Sequence, residues 1–189
     1  MANFSDWQDR MLRAVWRQGE NLPEEVLVWM SELYDEFGDM PESEFCELWT
    51  ARTFCMARAA FEVIGRSAEE ETGKEVTGEE FCYIDYSRDP EQGPVGVVRI
   101  KSVEVSTPDR AEVAGAVAEG LQEFIMSHYR VVWPVCGRHG HGLHVGYARE
   151  SAVWKCEGGD AGGHVVRAID PAPPQAPGQS PSRGSGSGR

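Results

Sequence analysis

The sequence predicts an α+β protein with N-terminal helices, a β-hairpin with one covering helix, and a small C-terminal zinc ribbon. Three observations lead there. Apolar residues recur at helical spacing through the first third of the 189 residues, and the period shifts to strand-like alternation from Phe81 onward. Four of the five histidines and two of the five cysteines then crowd between Trp133 and Ile169.

Phe4, Trp7, Met11, Leu12, Val15 and Trp16 share one helical face, with Ser5 or Asp6 as cap and Gly19 as stop, so a first helix is expected over 5–18. Pro23 and two glutamates open a second, whose stripe of Val26, Leu27, Met30, Leu33 and Phe37 ends at Gly38. A third begins near Pro41 and Ser43 and carries Phe45, Leu48, Trp49, Ala51, Cys55, Met56, Ala59, Ala60, Val63 and Ile64, with Gly65 and the run Glu69–Glu71 near its end. Large side chains at this spacing mark helix–helix packing. The segments 81–87 and 95–105 read as two antiparallel strands joined by a DPEQGP turn, with Asp85 on a polar strand face and Asp89 in the turn. Pro108 and Asp109 start a helix striped by Val113, Val117, Leu121, Phe124 and Ile125, which should cover one face of the hairpin. Gly115 and Gly120 each weaken that helix by about 1 kcal/mol relative to alanine, so close packing requires them or neighbours support it. His128 falls near its end, where an imidazolium suits the helix dipole. HGLHVGY, SAVWKC and HVVRAI read as three short strands, turning at Arg149 and Glu150. The chain thus divides into an acidic helical region (1–71), a hairpin plus helix (72–130), a zinc-ribbon-like module (131–169) and a Pro/Gly/Ser-rich disordered tail (170–189).

Cys136 and His139 form a C-x2-H turn, and Cys156 and His164 a C-x7-H loop filled by EGGDAGG. Two thiolates and two neutral imidazoles balance Zn2+ and give the four ligands that a structural site prefers. His141 and His144 stand as alternatives to His164 for the fourth position. The deaminase pattern H-x-E with a later P-C-x2-C is absent, as is HExxH, so a catalytic zinc would have to use His141 or Glu157 as base.

The net charge of −13 is uneven: 22 acidic and 8 basic residues over 1–94 give −14, and 9 acidic and 10 basic over 95–189 give +1. An acidic half repels nucleic-acid phosphate and favours a basic protein partner, although such charge also serves simply as a solvated surface. No apolar run reaches the roughly 18 residues of a membrane helix, and MANFSDWQDRM lacks the basic-then-apolar order of a leader, which predicts a cytoplasmic protein. Cys46, Cys55 and Cys82 lie among apolar residues and read as reduced core thiols.

The residues Trp133, Pro134, Cys136, His139, His141, Leu143, Ala152, Trp154 and Cys156 give W-P-x-C-x2-H-x-H-x-L followed by A-x-W-x-C. This pattern resembles a zinc-ribbon-like segment of small uncharacterised actinobacterial proteins and covers about a fifth of the chain. The resemblance implies a metal-stapled module and no reaction. The expected function is a non-enzymatic protein-interaction or adaptor protein with a structural zinc. An acidic inhibitor or nucleic-acid mimic acting on a basic protein is the first alternative, and a zinc-dependent hydrolase the second.

Overall fold

The computed structural model describes residues 3–15, 22–76, 81–85, 96–158 and 163–169. Among these residues, four helices and two three-stranded antiparallel sheets are arranged as expected for an α+β chain: α1 (Phe4–Val15), α2 (Glu24–Phe37), α3 (Glu42–Thr72), β1 (Cys82–Asp85), β2 (Val97–Ile100), β3 (Val103–Val105), α4 (Arg110–Phe124), β4 (His144–Ala148), β5 (Ser151–Cys156) and β6 (His164–Ala168). The sheets run β1-β2-β3 and β4-β5-β6. Trp16, Asp89 with its DPEQGP turn, and the tail 170–189 lie outside the described residues.

The N-terminal helices close over an aromatic and Met-rich core of Trp7, Met11, Val26, Met30, Phe45 and Trp49. Phe45 sits within 5.6–5.9 Å of the rings of Trp7, Trp29 and Trp49, so the wide apolar faces are packing surfaces. Two stripe residues depart from that face: Leu27 and Phe37 are exposed, because α2 is covered on one side only. Helix α3 runs past Gly65 to Thr72, where Gly73 caps it in the left-handed region by donating to the Glu69 carbonyl. That end agrees with the expected stop beside Glu69–Glu71, and the second half of the helix packs Ala57, Ala60, Ile64 and Ala68 into the main core.

The stretch 95–105 is not one strand. It folds back on itself at Lys101 (φ 54) and Ser102, pairing Ile100 with Val103 and Val98 with Val105, so the first sheet has three strands. Lys-Ser carries no glycine or proline signal, which is why the turn was hidden. The covering helix reaches further than one hairpin face. Helix α4 packs against α3, β2 and β3 on one side and β4 and β5 on the other, and nearly every side chain from Ala111 to Leu121 is buried. Asp109 caps it by accepting from the amides of Ala111 and Glu112. A π-helical turn, Ile125–Tyr129, ends it, and there the exposed His128 ring stacks on Phe124 at 5.2 Å.

Cys55 is exposed on α3, whereas Cys46 is buried and Cys82 half-buried. Burial pushes the Cys46 and Cys82 thiols up to about 11, as inert core residues require.

The two glycines of α4 are packing residues. A Cβ at Gly120 would stand 2.9 Å from Ile100 Cγ2 and 3.0 Å from the Ile100 carbonyl oxygen, and one at Gly115 would meet the Tyr147 ring. Gly120→Ala should therefore lower stability by about 1–3 kcal/mol despite its better helix propensity, because the obstacle includes backbone. Gly115→Ala should cost less, since the Tyr147 side chain can rotate away. Chemical denaturation of the two variants checks both, and a stabilised Gly120→Ala would contradict the close approach.

Candidate metal centre

The site is built from a knuckle and a strand pair. After the cis Trp133–Pro134 bond, the chain turns so that the Leu143 amide donates to the Pro134 carbonyl and the Cys136 amide to the His141 carbonyl, both at 2.8 Å. Gly140 (φ 70) closes the knuckle by donating to the Cys136 carbonyl at 2.8 Å. This fold brings Cys136 and His139 to one side. The second pair arises differently: Cys156 ends β5, His164 begins β6, and the two are register partners across the sheet. Gly163 (φ 86) makes that return possible, since a Cβ there would lie 2.8 Å from the Cys156 carbonyl oxygen.

One ligand atom from each of Cys136, His139, Cys156 and His164 lies within 4.8 Å of the others, and the group can hold a metal ion. Cys136 Sγ is 3.8 Å from His139 Nδ1 and 3.8 Å from His164 Nε2, and His139 Nδ1 is 3.3 Å from Cys156 Sγ. A tetrahedral ion with metal–sulfur bonds of about 2.3 Å and metal–nitrogen bonds of about 2.0–2.1 Å sets sulfur–nitrogen edges near 3.5 Å. The observed edges straddle that value. Both sulfurs are buried and both imidazoles half-buried. His141 and His144 are exposed and stand outside the group.

The electrostatics favour ligation at Cys136 and His139 and oppose it at Cys156. Burial pushes the Cys136 thiol up, but amide donors at Arg138 and His139, with the neighbouring Cys156 thiol and the Arg138 charge, bring it below the ordinary range. Cys156 is held above it by burial, relieved in part by the Gly158 amide. His139 is lowered by burial and then by Arg138, His164 and His141, which keeps its imidazole neutral and able to donate a lone pair.

Groups outside the cysteine–histidine segment hold this assembly to the rest of the molecule. Gln122 on α4 donates from Nε2 to the carbonyls of Trp133 (3.0 Å) and Leu143 (2.6 Å), clamping both ends of the knuckle. Glu71 on α3 accepts from Trp133 Nε1 at 3.1 Å and pairs with Arg167 of β6 at 2.6 Å. Trp133 and Trp154 stack edge to face at 5.4 Å in the core that also contains Cys136 and Cys156. Sequence reading missed Gln122 and Glu71, because a glutamine on a helical stripe and one member of an acidic run carry no local signal of contacts made 11 to 96 positions away. Asp85 keeps the structural role expected of it, accepting from Arg99 Nε at 2.7 Å.

No protein-family model matches the chain, and neither a curated protein nor a solved structure matches it. No helix among the described residues is long and apolar enough to cross a membrane.

His139 resists protonation in the folded chain more than an unfolded histidine does, so the unfolded state binds more protons on acidification. Stability should accordingly be full above about pH 6.5 and fall as the pH drops below that unfolded value. Protons competing with a bound metal act in the same direction. Thermal unfolding of wild type and His139→Gln across this range tests it: a shallower decline in the variant is expected, and identical profiles would remove His139 from the linkage.

Proposed function

We propose that the protein is a non-enzymatic interaction or adaptor protein whose C-terminal module is closed by a structural Zn2+. The observation that carries this reading is the donor set itself: two cysteine sulfurs and two imidazole nitrogens lie within 4.8 Å of one another, enough ligands for a closed tetrahedral site, and both cysteines are buried. A structural zinc takes this closed set, whereas a hydrolytic zinc keeps one corner for water beside a general base. Glu157 and His141, the residues nearest to such a role, are exposed. The resemblance of the Trp133–Cys156 pattern to zinc-ribbon-like segments supports the same reading, and the free cysteines fit a reducing compartment such as the cytoplasm.

A basic protein surface is the partner chemistry that the −14 charge of residues 1–94 favours. An inhibitor or nucleic-acid mimic would use the same charge. The carboxylates are not one uniform face, however. Arg10 pairs with Asp39 and Glu42, Glu71 is committed to the metal module, and Asp85 and Glu104 hold Arg99.

Purified chain should contain one zinc per molecule, with X-ray absorption showing two sulfur and two nitrogen neighbours and no oxygen. Cys156→Ser and Cys136→Ser should lose stoichiometric metal and amide-exchange protection across β4–β6, while α1 and α2 keep their protection. Full zinc retention in Cys156→Ser would refute the assignment. A bound water oxygen would move the reading to a zinc-dependent hydrolase.

A further inference from the structure

We propose that the cleft between α2 and α4 is a docking groove for a basic segment of a partner protein, whose lysine or arginine stems lie along its aromatic wall while their charges meet its carboxylates. The proposal rests on the interaction-protein reading above and gives it a location. The cleft encloses about 1240 Å³ between the start of α2, β3, the outer face of α4 and the β4–β5 turn. That volume exceeds the roughly 300–1,000 Å³ of small-molecule sites and suits a stretch of polypeptide.

Charge selects the occupant. The lining carries eight carboxylates against three guanidinium groups. Part of this charge serves the fold: Asp109 caps α4, Glu25 accepts from the Arg110 amide at 3.1 Å, and Glu104 pairs with Arg99. Glu24, Glu119 and Glu150 are exposed on three different walls, and among the described residues no hydrogen bond or ion pair engages them. They come from α2, α4 and the β4–β5 turn, so the fold, rather than a local acidic run, gathers them.

The apolar part of the groove is built for alkyl stems. Val28 is 50% exposed and Tyr147 51% exposed, and both face the cleft with Trp29. Arg52 already shows the arrangement: its guanidinium lies 4.8 Å from the Trp29 ring centre, with Glu25 and Glu32 acting on it electrostatically. A cation over a ring beside carboxylates is the geometry a visiting arginine would repeat. The Tyr147 hydroxyl reports the sign of the local field, being pushed up by burial and then by Glu119, Glu112 and Asp109. Phosphate and acidic peptides meet repulsion in such a groove.

The probe is fluorescein-labelled hexaarginine, titrated with zinc-loaded full-length chain and followed by anisotropy at low and physiological salt. The variant Glu24→Gln/Glu119→Gln/Glu150→Gln is compared with Asp35→Asn/Glu36→Gln/Glu44→Gln, which removes the same charge away from the cleft; equal zinc content and unfolding midpoints establish that both remain folded. Wild-type binding should weaken with salt, and the cleft triple should weaken it about ten-fold against less than about three-fold for the control. Equal weakening by the two triples, or no binding of hexaarginine, overturns the groove. Retention of a captured host protein by the cleft triple also overturns the groove yet leaves the interaction reading standing. Failure of the wild-type chain to retain any host protein counts against the reading itself.

Discussion

The close burial of α4 is the constraint on which the remaining structure depends. A helix enclosed by α3 and by two separate sheets must be apolar nearly all round and slim enough for its neighbours to approach. The sequence Ala-Glu-Val-Ala-Gly-Ala-Val-Ala-Glu-Gly-Leu meets both conditions, leaving Glu112 and Glu119 as the polar positions toward the cleft. Both sheets pack strands against this helix, the first resting on α3 as well. The cysteine–histidine segment is anchored in the same way, with Gln122 of α4 holding both arms of the knuckle.

How legible this was varied with the range of the interactions. Helices α2 and α4 could be placed from their ends because proline, glycine and Asp109 are local signals that the structure uses at those positions. The alternation near Val98 announced a strand, but the reversal at Lys101 and Ser102 depends on register with β1 and β3 and left no trace in composition. The end of α3 was legible in the run Glu69–Glu71, since the helix stops at Thr72, but the burial of its last turns was not. Large apolar residues give out after Ile64, while Ala68 stays fully buried against partners that local spacing cannot reveal.

The candidate site was legible because metal chemistry narrows the choice of residue. Only cysteine and histidine at the right spacing supply soft, compact donors, and the chain concentrates both in one segment. Spacing alone left His141, His144 and His164 as rival ligands, since glycine-rich loops can return in more than one way. Strand pairing separates them: register places His164 directly across from Cys156, while His144 is opposite Lys155. The cleft was invisible at the sequence level for a related reason. Glu24, Glu119 and Glu150 are far apart along the chain, and other members of the acidic stretch around α2, Asp35, Glu36 and Asp39, do not line the cleft.

The position of α4 in the chain also orders events during synthesis. One side of the helix can settle on α3 and the first sheet as soon as it emerges, but its other side waits for β4 and β5, and Cys156 waits for β6. At about 5–20 residues per second, the stretch from Phe124 to Ile169 takes roughly 2–9 s to translate. For that interval Val113, Val117 and Leu121 belong to a nascent chain whose second sheet does not yet exist. Gly115, which lies against Tyr147 of β4, presents no side chain on the waiting side, so the slimness that lets the second sheet approach also limits the apolar surface that the unfinished protein exposes there.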